Sequence, residues 1–176
     1  MNEILILHMI GSFPDIPGKK VFQKLSYFLQ EAEGARLGVR FRMKRFGPYS
    51  VELESGLQEL ADRHLVHISG DSDEGFSISP SIDPPEELQQ LKPDEEASLS
   101  RLMEKLGSVT SRGLTLELMA SLHFLSRTHA YGGSQEDREV LVSQLRAWKG
   151  KKFDSQFIED QIGRLGELAY LPTSPD

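Results

Sequence analysis

The chain has 176 residues, 38% hydrophobic and 27% charged, a net charge of −7 and no cysteine. That size suits one domain or two small ones with a real core, and the missing cysteines exclude disulfides, thiolate metal sites and cysteine nucleophiles. No apolar run reaches the ~20 residues that span a bilayer, and the opening Met1-Asn-Glu-Ile-Leu lacks the basic region of a signal peptide, so a cytoplasmic protein without a membrane partner is expected.

Ile4, Leu5, Leu7, Met9 and Ile10 are dense enough for a short buried helix over 2–11, stopped by Gly11. Phe13 to Gly18 is turn chemistry. From Lys19, the apolar positions Val21, Phe22, Leu25, Phe28, Leu29 and Ala32 repeat with helical spacing and run out near Gly34.

The segment Val39-Arg-Phe-Arg-Met-Lys44 alternates strictly, which predicts a strand over about 39–46. Successive strand side chains point to opposite faces, so Val39, Phe41 and Met43 turn to a core and Arg40, Arg42 and Lys44 form a row about 6–7 Å apart on the other face. Lys19 to Arg45 holds eight Lys/Arg against two Glu, a local charge of +6 in an acidic chain. Such a stretch is a candidate contact for an anionic partner, and the row spacing is near that of phosphates along a nucleic-acid strand. A plainly solvated strand face would have the same composition.

Gly47-Pro48-Tyr49-Ser50 breaks the strand and opens a helix, with Ser50 as N-cap, Glu52 and Glu54 at the positive end of the dipole, and Leu53, Leu57, Leu60 and Ala61 on the buried face. Gly56 admits a close helix contact at this face. Leu65 to Ser69 and Phe76 to Ser79 read as a hairpin whose loop carries Asp71, Asp73 and Glu74. Helices followed by a small hairpin predict a winged-helix-like region over 1–80. A Pro-rich acidic junction follows over 81–93, and a helical region packed on the first fills 94–176. Within it, Leu99, Leu102, Met103 and Leu106 share one stripe, and Leu114, Leu118, Met119, Leu122 and Leu125 another that is largely buried. Ser134 and Asp137 form a capping box ahead of Val140, Leu141, Leu145 and Trp148. Asp154 caps a last helix carrying Phe157, Ile158, Ile162, Leu165 and Leu168. The fold class expected is α+β and mostly helical.

Catalytic signatures are missing. His64 and His67 are the nearest histidines but lack the spacing of a metal motif, and His123 on an apolar helix reads as a packed core residue. The glycines at 107, 113, 132 and 133 fit no phosphate-loop pattern, and Asp94-Glu-Glu96 reads as a helix N-terminus. No catalytic residue, metal or cofactor is assigned. Tyr49, beside the basic strand, is a candidate for stacking on a base or ligand. Trp148 reads as a buried residue closing a helix, with Lys149, Lys151 and Lys152 as a basic tip at its negative end.

Lys24-Leu-Ser-Tyr-Phe-Leu29, Phe46-Gly-Pro-Tyr-Ser50 and Leu57-Gln-Glu-Leu60, with Trp148-Lys149 and Leu165-Gly-Glu-Leu168-Ala-Tyr170 further on, make the chain similar to the bacterial and archaeal YwgA-like proteins. More distantly it resembles the antitoxin-associated Panacea domain. The resemblance implies a winged-helix-like N-terminal region and a helical C-terminal region, and it transfers no catalytic residue. The residues and the resemblance together predict a non-enzymatic regulator. Its anion-binding surface comprises Arg40, Arg42, Lys44, Arg45 and Tyr49, and its partner is a nucleic acid or, in an antitoxin-like role, an acidic protein. A homo-oligomer is compatible with the same composition.

Overall fold

Nine consecutive residues of one helix, Val21 to Leu29, are buried, and the rest of the chain winds around them. The computed structural model describes residues 1–13, 16–71, 75–81 and 90–172. Helix α1 (Glu3–Ser12) starts where the Asn2 side chain accepts a hydrogen bond from the Leu5 amide. Helix α2 (Gly18–Glu31) follows, then the antiparallel pair β1 (Arg42–Lys44) and β2 (Gly47–Tyr49), with Arg42 opposite Tyr49 and Lys44 opposite Gly47. Helix α3 (Val51–Asp62) is capped by the Ser50 hydroxyl, which accepts from the Leu53 amide at 3.2 Å. Strands β3 (Val66–Asp71) and β4 (Gly75–Pro80) form the second antiparallel pair, and an isolated bridge between Ile16 and Ile78 ties β4 to the entry of α2.

The second half is helical: α4 (Pro93–Leu106), a 3-10 turn (Gly107–Val109), α5 (Gly113–Thr128), α6 (Gln135–Lys149) and α7 (Ser155–Glu167). Helix α5 packs against α2 on one side and α6 and α7 on the other, and α4 also meets α2. Both halves therefore contribute to one hydrophobic cluster. Among the described residues the fold is α+β, 61% helical, with two small sheets. No helix among the described residues is long and apolar enough to cross a membrane.

The predicted caps at Ser50, Ser134 and Asp154 all form, and the predicted alternation holds at every position from Val39 to Lys44: Val39 is buried, Phe41 and Met43 are half-buried, and Arg40, Arg42 and Lys44 are exposed. Paired strand is shorter than expected, beginning only at Arg42: the Val39 backbone bonds to the Gln30 side chain instead of to a second strand. Nor does Gly47-Pro48-Tyr49 end the sheet; it is itself β2. The chain reverses at Arg45-Phe46, and Gly47 takes φ +89° to close the turn. Proline is tolerated because β2 is an edge strand of a two-stranded ribbon. Four apolar residues placed on helical stripes are exposed: Met103 in α4, Leu114 in the first turn of α5, Val140, and Trp148 at the end of α6. Periodicity reports which residues share a helix face, not how fully a neighbour covers that face. Gly56 faces the Met1 side chain rather than a helix: a Cβ there would stand 2.2 Å from the Met1 terminal methyl. Asp73, Glu74 and the junction prolines Pro84 and Pro85 lie outside the described residues.

One buried carboxylate ties the last residues to the first half. Glu33, 6% exposed, accepts from Tyr170 Oη at 2.6 Å and from Arg101 Nε at 2.8 Å, and pairs with Lys105 at 3.1 Å. Burial pushes its pKa up, but the hydrogen bonds from Tyr170, Arg101 and Lys105 together hold it below the ordinary carboxylate range. A depressed folded-state pKa gives stability that is present above the unfolded value and lost as pH falls through the folded one. Tyr170→Phe is expected to cost about 1.5–3 kcal/mol at pH 7, the range for a hydrogen bond to a charged group. That cost should shrink as Glu33 protonates below its ordinary pKa, which denaturant titrations at pH 7 and pH 3 would measure.

Candidate functional site: an apolar cleft with a cationic lip

The apolar stripe of α2 carries polar residues, and burial forces each of them to find a partner. Gln23 reads the backbone of the α3 cap in both directions. Its amide nitrogen donates to the Ser50 carbonyl and its amide oxygen accepts from the Ser50 N–H, each at 2.9 Å. Lys24, 3% exposed, donates from Nζ to the Pro48 carbonyl at 2.8 Å. Ser26 Oγ reaches Met9 Sδ. Tyr27 Oη lies 2.8 Å from His123 Nδ1. Burial first, and then the charge of Arg127, lower the His123 pKa to about 4, so the ring that shares this hydrogen bond is neutral at pH 7. The core reading of His123 holds: it is 4% exposed.

Where α2 faces the β1–β2 hairpin, a cleft of about 530 Å³ opens, and its walls are almost wholly carbon. Phe22 of α2, Met43 of β1 and Leu57 of α3 line it, with Trp148 reaching over from the end of α6. The lip is cationic: Lys19 and Lys20 come from α2, Lys44 and Arg45 from the hairpin, and Glu54 is the one acidic residue lining it, paired with Lys19 at 3.7 Å. Aromatic faces hold several of these cations in place. Lys20 Nζ sits 4.1 Å from the Phe46 ring centre, Arg45 Cζ 5.6 Å from the same ring, and Lys44 Nζ 4.0 Å from the Tyr49 ring.

The sequence-predicted site is therefore divided. Lys44, Arg45 and Tyr49 meet at the cleft, whereas Arg40 and Arg42 do not line it and stand close enough to Glu52 to help lower its pKa. The cations of α2 share the cleft with the hairpin, which local charge counting could not place. Trp148 is not the buried helix end expected; it is 51% exposed at the cleft edge. Nor do the cations after it form a free basic tip. Lys149 Nζ lies 2.9 Å from Glu117 Oε1 and 2.6 Å from the Arg45 carbonyl, and Lys152 Nζ lies 2.7 Å from the same Glu117 oxygen. Burial raises the Glu117 pKa, but hydrogen bonds from Lys152 and Lys149 overcome it and keep the carboxylate charged. This buried ion pair holds the hairpin tip against α5 and α6.

Lys24 is the residue that sequence reasoning passed over. A signal for it existed: position 24 lies three residues after Val21 and four before Phe28, on the apolar stripe itself. Gly47 makes room for it, since a Cβ there would meet Lys24 Cε at 3.2 Å and Ser121 Oγ at 2.9 Å. Burial lowers the Lys24 pKa to about 7; Glu117 opposes the shift, and Lys149 and Lys20 add to it. No group of three or more His, Asp or Glu able to hold a metal ion occurs among the described residues.

No protein-family model matches this chain, and no curated protein matches it.

A buried ammonium without a carboxylate partner costs folding energy, because its charge is desolvated with no contact to compensate it. Lys24→Met should accordingly raise the melting temperature at pH 7. A lysine whose folded pKa is lowered disfavours the fold below that pKa, and the penalty fades as pH rises from about 7 towards 10.5. The gain from Lys24→Met should therefore be smaller at pH 10 than at pH 7, as paired melting curves would show.

Proposed function

We propose that the protein is a non-enzymatic binding module that holds an acidic protein partner in this cleft. The observation that carries the reading is a deep, carbon-walled cleft ringed by cations. Magnitudes favour the cleft over the rim as the source of affinity. Fully burying one Leu or Phe side chain is worth about 1.5–3 kcal/mol, whereas an exposed ion pair contributes about 0–1 kcal/mol. The rim instead steers and orients an anionic partner. A nucleobase suits the cleft less well. Its edge presents donors as well as acceptors, and Gln23 at the floor is already committed to Ser50 in both senses.

A second reading keeps nucleic acid as the partner, and the observation that favours it is the row of Arg40, Arg42 and Lys44, exposed on one face beside Tyr49. In that reading the order α2, hairpin, α3, β3–β4 serves as a winged-helix-like region, consistent with the likeness of Lys24–Leu29 and Phe46–Ser50 to YwgA-like proteins and with a regulatory role. An antitoxin-like role belongs to the first reading, with the cleft as the neutralising surface.

Two double variants separate the readings. Lys20→Glu with Arg45→Glu reverses the cleft lip, and Arg40→Glu with Arg42→Glu reverses the row. A synthetic peptide alternating Glu with Leu and Phe, together with random single-stranded and duplex DNA and RNA, would be titrated at 50 and 200 mM salt. We expect the wild type to bind the peptide, the lip variant to lose at least about tenfold in affinity, and the row variant to retain it. Binding confined to the oligonucleotides and abolished by the row variant would replace the first reading with the second.

A further inference from the structure

The inference here rests on the cleft being the binding face and concerns what its floor is built to receive. Three lysines turn inward at the junction of α2, the hairpin and the end of α6, namely Lys24, Lys149 and Lys152, and they have one buried carboxylate between them, Glu117. Glu117 is engaged by Lys149 and Lys152, while Lys24 has no carboxylate oxygen within 4 Å among the described residues. An ammonium carries three N–H donors, and Pro48 O is the one acceptor that Nζ reaches among the described residues. Lys24 also lines the cleft. Lys24 thus lines an apolar cavity with one backbone acceptor and no carboxylate in contact, Glu117 acting on it only at longer range.

We propose that the cleft binds a carboxylate carried on an apolar body, with the carboxylate seated on the Lys24 amine and the body packed against Phe22, Met43 and Leu57. A small hydrated anion is disfavoured, because it would shed its water among carbon walls with a single amine to replace it. An apolar body changes the balance, since its own burial offsets the desolvation of the charge. The cations at the lip raise the local concentration of such an anion before it enters.

The protonation of Lys24 gives the proposal a signature. The charged groups around it are Lys20 on α2, Glu117 on α5 and Lys149 on α6, with Lys44 and Arg45 on the hairpin and Glu54 on α3 also lining the cleft. Most are cations, which together with burial favour the neutral amine. A carboxylate at Nζ acts in the opposite direction, so binding above neutral pH takes up a proton. Two sources could supply the ligand: a free aromatic or aliphatic acid, or a polypeptide carboxylate next to an apolar side chain.

The probes are 1-naphthylacetate and its uncharged amide, followed through Trp148, the chain's one tryptophan. Calorimetry at pH 8 in two buffers of different ionisation heat measures proton uptake. A peptide ending in a free C-terminal phenylalanine and its C-amidated form distinguish the polypeptide source from the free acid. The expected result is that the acid binds at least about tenfold more tightly than its amide, with net proton uptake. In Lys24→Met the two naphthyl probes should bind alike, with the amide's affinity retained. The proposal is overturned if acid and amide bind wild-type protein equally, if neither binds at millimolar concentration, or if the preference survives in Lys24→Met, which would assign it to the lip. The acidic peptide of the previous section is run alongside. Its binding without any Lys24-dependent acid preference would sink this inference and leave the partner reading standing. The converse pattern, acid preference without peptide binding, would sink the partner reading alone.

Discussion

The constraint on which the rest of the structure depends is the burial of α2 on every side from Val21 to Leu29. A helix apolar all round could satisfy that burial with no direction to its packing. This one carries Gln23, Lys24, Ser26 and Tyr27 in its buried stretch, and each must find a partner or forfeit about 1–3 kcal/mol. The partners come from different elements: Ser50 at the head of α3, Pro48 in β2, Met9 in α1 and His123 in α5. Polar residues in the centre thus fix the placement of four neighbours around the helix, where apolar packing alone would tolerate sliding. Glu33 and Glu117 repeat the device at its two ends, fastening the C-terminal segment through Tyr170 and the hairpin tip through Lys149.

The cleft follows from the same constraint. Lys24 holds β2 and Gln23 holds the adjoining Ser50 against α2, each through the backbone, while the exposed ring of Phe46 sits at the hairpin turn. Because Gly47 has no side chain, the ribbon can approach closely enough for Lys24 to reach Pro48. The remaining gap is bounded by Phe22, Met43 and Leu57, so its lining is apolar, while the long cationic side chains of α2 and the hairpin extend to solvent at its mouth. The proposed amphipathic partner follows from that combination of apolar walls and charged lip.

Much of this was legible in the residues. The alternation from Val39 to Lys44 placed the exposed arginines correctly, and the Ser50, Ser134 and Asp154 caps were readable because capping is chemistry between near neighbours in sequence. The second strand of the hairpin was not, since Gly-Pro is a turn signal in most contexts and only an edge position lets proline pair. Nor could periodicity distinguish Leu114, Val140 and Trp148 from buried residues, because exposure depends on which helix lies opposite. The cleft was the least legible part. It joins residues 19–24, 43–49, 54–57 and 148, and its central group, Lys24, appears in the sequence as one more cation within a basic stretch.

The most direct test of this account is the titration of the Lys24 side chain itself, followed by the Cε or Nζ resonance in a selectively labelled protein, with Lys24→Met supplying the assignment. If α2 is buried on all sides and Lys24 lines the cleft without a carboxylate in contact, its midpoint falls at about 7, far below 10.5. A midpoint near the ordinary lysine value would contradict the account, because it would mean that the amine is solvated or paired and that the floor of the cleft is not as described.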